Sequence, residues 1–179
     1  MKILVFGASG SGTTTLGHGL SLDSSLVHLD ADDYYWVKTD PPYTEKVPLD
    51  KRNRRLREDF DKHEHVVVSG SLISWGHEWT HLFDLAVFIY LSPDIRIERL
   101  IKREQERYGD LLQTDNKRKE NYEAFIAWAK LYDDPDFTGR SLRVHNDWIK
   151  KLDSKILRLD GALPLEEKVN ATLKAMGKL

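Results

Sequence analysis

Gly7-Ala8-Ser9-Gly10-Ser11-Gly12-Thr13-Thr14-Thr15 follows directly on the apolar run Ile3-Leu4-Val5-Phe6, and the reading of this stretch decides the fold. It fits the phosphate-loop pattern G-x-x-x-x-G-K-S/T at Gly7, Gly12 and Thr14, with Thr13 where that pattern has lysine. A loop that curls its backbone N–H groups around a phosphate must visit angles a Cβ forbids, which Gly7, Gly10 and Gly12 allow. Ser9, Gly10, Ser11, Gly12, Thr13 and Thr15 then supply donors to the cradle, and the chain runs on into a helix N-terminus whose free amides and dipole favour an anion. Thr14 is placed to put its hydroxyl on Mg²⁺. Glycine-rich segments are commonly plain turns. Here a strand precedes the segment and a helix start follows, the context that distinguishes a phosphate loop.

Composition narrows the rest. A chain of 179 residues is expected to form one domain, burying about 70 per cent of its unfolded surface. With 27 basic and 29 acidic side chains the net charge is -2, which offers no general attraction for nucleic acid or anionic lipid. No cysteine is present, so disulfides, thiolate zinc sites and cysteine nucleophiles are excluded. The longest apolar run, Leu85 to Leu91, is far shorter than a membrane span, and the N-terminal run is too short for a signal peptide. A soluble cytoplasmic protein is the expectation.

Short apolar runs alternate with longer amphipathic ones. The pattern predicts strands near 2–6, 26–30, 65–69, 85–91 and 155–159, and helices over 13–21, 49–62, 93–107, 117–132 and 164–176. Strands apolar along nearly their whole length suit a parallel sheet covered on both faces. Ser92-Pro93-Asp94 is a helix start, and Tyr122, Phe125, Ile126 and Ala129 recur at helical spacing as a packing stripe.

Ligands of such a sheet gather at the carboxyl ends of its strands. Those ends carry Asp30, Asp32 and Asp33 after the second strand and Ser69-Gly70-Ser71 after the third. Asp30 or Asp32 can hold a metal-bound water or take a proton from an alcohol, although a loop start or helix cap is the plainer use. Ser71 is a candidate for the acceptor pocket. Within the basic run Lys51, Arg52, Arg54, Arg55 and Arg57, either an exposed helix face results or Arg54 or Arg55 grips an anionic acceptor group. Arg96, Arg99, Arg103 and Arg107 form a stripe that can lean over a triphosphate, and phosphoryl transfer without the loop lysine needs such charge.

His77-Glu78-Trp79-Thr80-His81 is a literal H-E-x-x-H, the zinc metalloprotease pattern. It leaves room for only a short helix before the fourth strand, with no third ligand in view, so His77 reads better as a surface or acceptor-pocket residue.

Taken together, the loop, the turn Asp30-Ala31-Asp32-Asp33, the arginine helix and Leu159-Asp160-Gly161-x-x-Pro164 resemble the adenylate-kinase-like branch of P-loop kinases. The resemblance implies an α/β, three-layer P-loop NTPase fold: a five-stranded parallel sheet with helices on both faces, an acceptor segment over about 31–62 and a lid over about 104–140. It implies that Arg99 and Arg103 touch the nucleotide phosphates or base, and that Gly161 to Leu163 lie near adenine. The function it implies is ATP- and Mg²⁺-dependent transfer of a γ-phosphoryl group to a nucleoside monophosphate or other small metabolite, by a monomer or small homo-oligomer. Thr13 keeps a second expectation alive: a nucleotide-binding switch or regulator that binds ATP with little transfer.

Overall fold

The computed structural model describes residues 1–40 and 42–177. Five strands, β1 (Lys2–Gly7), β2 (Val27–Asp30), β3 (Val66–Ser69), β4 (Leu85–Tyr90) and β5 (Lys155–Asp160), form one sheet in the order β2-β3-β1-β4-β5. Every pairing is parallel. β1 lies at the centre, so the loop leaving its carboxyl end emerges mid-sheet.

The two-residue period of a strand divides the core. Ile3 and Val5 face α1 (Thr13–Asp23) and α8 (Leu165–Ala175), packing with Leu16, Leu20 and Val169. Leu4 and Phe6 face the other way, onto Leu56 and Phe60 of α3 (Leu49–Lys62), Trp148 of α7 (Leu142–Ile149), and Trp75 and Trp79. The result is the three-layer α/β P-loop kinase fold. Each of these fully buried aliphatic or phenyl side chains contributes about 1.5–3 kcal/mol. Outside the layers, α4 (Pro93–Tyr108) packs on α6 (Asn116–Lys130) through Leu100, Ile126 and Ala129, with Tyr122 and Phe125 alongside, so the predicted stripe is core.

Three helices arise where the periodicity gave no signal: α2 (Ala31–Tyr35), α5 (Leu111–Thr114) and α7. Local capping explains two of them. The Asp30 carboxylate accepts from the Asp32 amide at 3.0 Å, and the Ser141 hydroxyl accepts from the Val144 amide at 3.3 Å. The helix predicted over 117–132 begins at Asn116, because the Asp115 carboxylate caps Arg118 N–H at 3.1 Å, and passes at Leu131 into a 3₁₀ turn, Leu131–Asp133. Between α2 and α3 a small flap is pinned by Val37 N–H to Glu45 O at 2.9 Å and Val47 N–H to Tyr35 O at 2.8 Å. No helix among the described residues is long and apolar enough to cross a membrane.

Candidate active site

Gly10 and Gly12 take φ of +85° and +95°, the left-handed region in which a Cβ is strained. Space forbids a side chain at Gly10 as well: a Cβ there would stand 2.9 Å from Leu100 Cγ on α4. Leu16 N–H closes the first turn of α1 onto Gly12 O at 3.0 Å, which leaves the Thr13, Thr14 and Thr15 amides without partners inside the helix. No acidic residue occupies that turn. Within the loop the buried Ser11 hydroxyl has no hydrogen-bond partner. That hydroxyl lies under the loop against Gly7, whereas the free amides and the uncompensated dipole at the start of α1 fit a phosphate group. The hydroxyl of Thr14 and the carboxylates after β2 are all oxygen donors, the set suited to Mg²⁺.

The acidic turn divides its labour. Asp30 spends its carboxylate on the α2 cap. Asp32 keeps its carboxylate off the cap and hydrogen-bonds the Trp36 side chain: burial first, then the like charge of Asp30, push its carboxyl above the usual range, while Arg140, Arg103 and the Trp36 hydrogen bond pull it down. Arg140 crosses from the segment before α7 to donate its Nη2 to Ser9 Oγ at 2.9 Å, and its guanidinium lies 4.8 Å from the Trp128 ring. A cation is thus clamped between α6 and the phosphate loop, facing Asp32. Beside it a cleft of about 220 Å³ opens, lined by Asp32, Asp33, Trp36, Lys38 and Tyr43.

The arginine stripe does not act as one surface. Arg96 is fully buried, donating to Ala129 O at 2.8 Å and to the Asp133 carboxylate at 2.7 Å, so it braces α4 against α6 and cannot reach a triphosphate. Arg103 and Arg107 share the Glu104 carboxylate at 3.1 and 3.4 Å, and Arg107 also lies 4.8 Å from the Tyr43 ring on the flap. Arg99 turns to the other end of the loop, donating to Gly161 O at 3.4 Å. Gly161 O also accepts from Lys168 Nζ at 3.2 Å, and that ammonium stands 4.0 Å from where a Cβ of Gly12 would be. Burial, then Arg99, lowers the Lys168 pKa. Gly161 itself abuts the loop, since a Cβ there would meet Ser11 O at 3.1 Å; Leu163 follows it, partly exposed.

After β3, Gly70 with φ +109° turns the chain so that Ser71 Oγ meets His145 Nε2 at 3.0 Å, while Tyr132 hydroxyl meets His145 Nδ1 at 2.6 Å. Burial drives the His145 pKa down to about 3, so the ring is neutral and has one N–H. With Tyr132 donating to Nδ1, Nε2–H donates to Ser71 and frees the Ser71 proton for an acceptor. Arg54 and Arg55 stand exposed on α3, Arg55 lying 5.7 Å from the Tyr34 ring. The inward arginine of that run is Arg52, between the Tyr35 and Trp75 rings at 4.4 and 4.9 Å. His77–Thr80 is a 3₁₀ turn, and among the described residues no three His, Cys, Asp or Glu side chains converge on a metal position. This removes the metalloprotease reading.

A family model described as AAA domain matches residues 3–124, which span the phosphate loop, β2, β3, β4 and α4. The chain belongs to that family. Similar proteins include an uncharacterized protein, YqaC, of Bacillus subtilis (strain 168), 36% identical over 96% of this chain and 95% of its own. A cytidylate kinase of Archaeoglobus fulgidus is 29% identical over 74% of this chain and 77% of its own. Among solved structures, a shikimate kinase from Bacteroides thetaiotaomicron superposes with a TM-score of 0.61, covering 99% of this chain and 98% of that one at 17% identity. The last agreement is one of fold.

Four residues that the structure places around the candidate site, all beyond the span matched by the family model, escape a reading of the sequence: Tyr132, Arg140, His145 and Lys168. Arg140 sits in Phe137-Thr138-Gly139-Arg140-Ser141, which has the composition of an ordinary turn. Lys168 looks like one exposed position of an amphipathic helix, yet it is buried. Its offset from the Asp160-Gly161 turn, one helical turn past Pro164, is the single signal that could have found it.

Proposed function

We propose that this protein is an ATP- and Mg²⁺-dependent phosphotransferase that moves the γ-phosphoryl group to a nucleoside monophosphate or another small metabolite. The observation that carries the reading is the Arg140 to Ser9 contact. A loop whose own lysine is missing receives a guanidinium from far along the chain, at the place where charge develops during phosphoryl transfer. Lys168 and Arg99 supply positive charge at the loop's other end, by Gly161 and Leu163. The names of the cytidylate kinase and shikimate kinase relatives support the reaction class.

In this mechanism the loop amides of Ser9, Gly10 and Gly12 to Thr15 hold the β- and γ-phosphates in line with the acceptor, while the Ser11 amide donates to Ala8 O at 3.1 Å and braces the loop. Mg²⁺ bound through Thr14, with Asp30 or Asp32 nearby, would neutralise the phosphate oxygens. The acceptor oxygen bonds to the γ-phosphorus, the bond to the bridging oxygen breaks, and ADP leaves. Arg140 and Arg103 balance the charge on the equatorial oxygens. An alcohol acceptor passes its proton to Asp32. A monophosphate arrives already anionic, needing no base. In this reading the acceptor segment, residues 31–62, supplies the cleft beside Asp32, Ser71 contributes from the end of β3, and residues 104–140 serve as the lid. The reading has the chain working in the cytoplasm, alone or as a small homo-oligomer.

The second reading, an ATP-binding switch with negligible transfer, is favoured by Thr13 in the lysine position. ADP production over a panel of monophosphates and small alcohols separates the two, with Thr14→Ala as control. Turnover abolished by Thr14→Ala supports the kinase; MgATP binding with no turnover on any acceptor supports the switch. No binding of MgATP at millimolar concentration sinks both.

A further inference from the structure

We propose that His77 and His81 form a two-nitrogen site for a divalent transition-metal ion of the zinc, nickel or copper type. The site lies at the amino-terminal end of the sheet, away from the phosphate loop at its carboxyl end. The 3₁₀ turn carrying the histidines precedes β4, and Asp153 precedes β5.

Hydrogen-bond accounting fixes both rings. His81 Nδ1 is bonded to the Asp153 carboxylate, which only accepts, so Nδ1 carries the proton and, in the neutral ring, Nε2 keeps its lone pair. The Thr80 hydroxyl donates its single proton to His77 O at 2.7 Å. Its oxygen, 3.3 Å from His77 Nδ1, is then left to accept, so His77 is also protonated on Nδ1. Two Nε2 lone pairs therefore face one another, 3.5 Å apart. Neutral rings have no attraction in that arrangement; a cation between them supplies it. Two nitrogens at about 2.0–2.1 Å from a tetrahedral ion are separated by about 3.3 Å. The ring centroids are 4.9 Å apart, farther than the two Nε2 atoms, and the rings meet at 78°.

Asp153 completes the device. A carboxylate on the far nitrogen of a ligating histidine fixes its orientation and raises its basicity. Asp153 is held in turn by its own N–H, which donates to Thr80 O at 3.1 Å. Both rings are exposed, so water fills the remaining coordination positions. Imidazole nitrogen selects zinc, nickel or copper over magnesium, which takes oxygen ligands. Glu78 folds back toward Gly76 and stands outside the pair, so this is a binding site and not a hydrolytic one. A bound ion would tie the β3–β4 connection to the start of β5.

Titration of the nucleotide-free full chain with ZnCl₂ by calorimetry tests the site. One equivalent is expected to bind, His77→Ala and His81→Ala each to abolish it, and Asp153→Asn to weaken it about 10–100-fold. Excess Mg²⁺ leaves binding unchanged, and zinc raises the Tm of the wild type but not of the histidine variants. A second measurement needs no variant: long-range ¹⁵N–¹H spectra of the metal-free protein above the imidazole pKa should show the proton on Nδ1 of both rings. Absence of zinc binding at submillimolar concentration, binding undiminished by His81→Ala, or a proton on Nε2 of either ring overturns the proposal.

Discussion

In the proposed function Arg140 takes on the task that residue 13 leaves open, and its cost when lost can be stated. Arg140→Ala is expected to lower kcat about 10²–10³-fold, the usual loss of one preorganised donor at developing charge, with a smaller change in the affinity for MgATP. Arg140→Lys should recover only part, since an ammonium lacks the planar fork. Steady-state kinetics beside direct binding measures both, and equal losses in both would assign Arg140 to binding alone. Asp32 pairs function with a stability penalty. Its carboxyl is raised above the unfolded value by burial, so stability is greatest below the unfolded pKa and is lost as pH rises through the folded one. At pH 7 the penalty is in force. Asp32→Asn should therefore raise the Tm of the nucleotide-free protein while cutting turnover on an alcohol acceptor about 10²–10⁴-fold. A lower Tm in calorimetry would mean that the carboxylate is stabilised by its arginines after all.

Elements were legible in proportion to how strongly they were periodic. β1 and β4 read as strands because residues 3–6 and Leu85–Tyr90 are unbroken apolar runs, and α4 because Pro93 starts it. α2 and α7 owe their existence to Asp30 and Ser141 caps and to contacts across the fold, and a five-residue or eight-residue helix leaves no long stripe to detect. The loop was readable from glycine spacing together with the strand before it and the helix start after it, whereas Arg96 was misplaced because the spacing of a stripe cannot say which of its members turns inward. Two substitutions probe this scale. Gly10→Ala forces a Cβ into left-handed backbone, about 1–2 kcal/mol, and against Leu100, so it should weaken MgATP binding at least as much as it weakens the fold. Leu16→Ala, at the centre of the α1 contact with the sheet, should cost about 2–5 kcal/mol in urea denaturation. An effect of Gly10→Ala on folding but not on nucleotide would detach the loop from the proposed site.

Across the whole molecule, the most strongly shifted group in the response to acid is one buried ring. His145 packs against Phe6 and Phe88 and joins Tyr132 to Ser71. Its pKa of about 3 lies below the ordinary 6.5, so its contribution to stability is complete above pH 6.5 and is lost as pH falls from there toward 3. Over that window the loss approaches about 1.4 kcal/mol per pH unit. Urea titrations between pH 7 and 4 should show a shallower decline in His145→Gln, by nearly one proton, than in the wild type. Parallel curves would place the proton elsewhere.

Lys168 has a consequence for how the molecule is made. Synthesis proceeds in one direction, and the parts of the anion trap are scattered across it: the glycine turn is translated early, Arg140 follows 131 residues after Ser9, and the ammonium beside Gly12 comes later still. A ribosome-bound chain that already displays its glycines thus has only half a trap. If the proposed function holds, capacity to retain a triphosphate arrives with α8, and a product truncated before that helix should be blind to nucleotide.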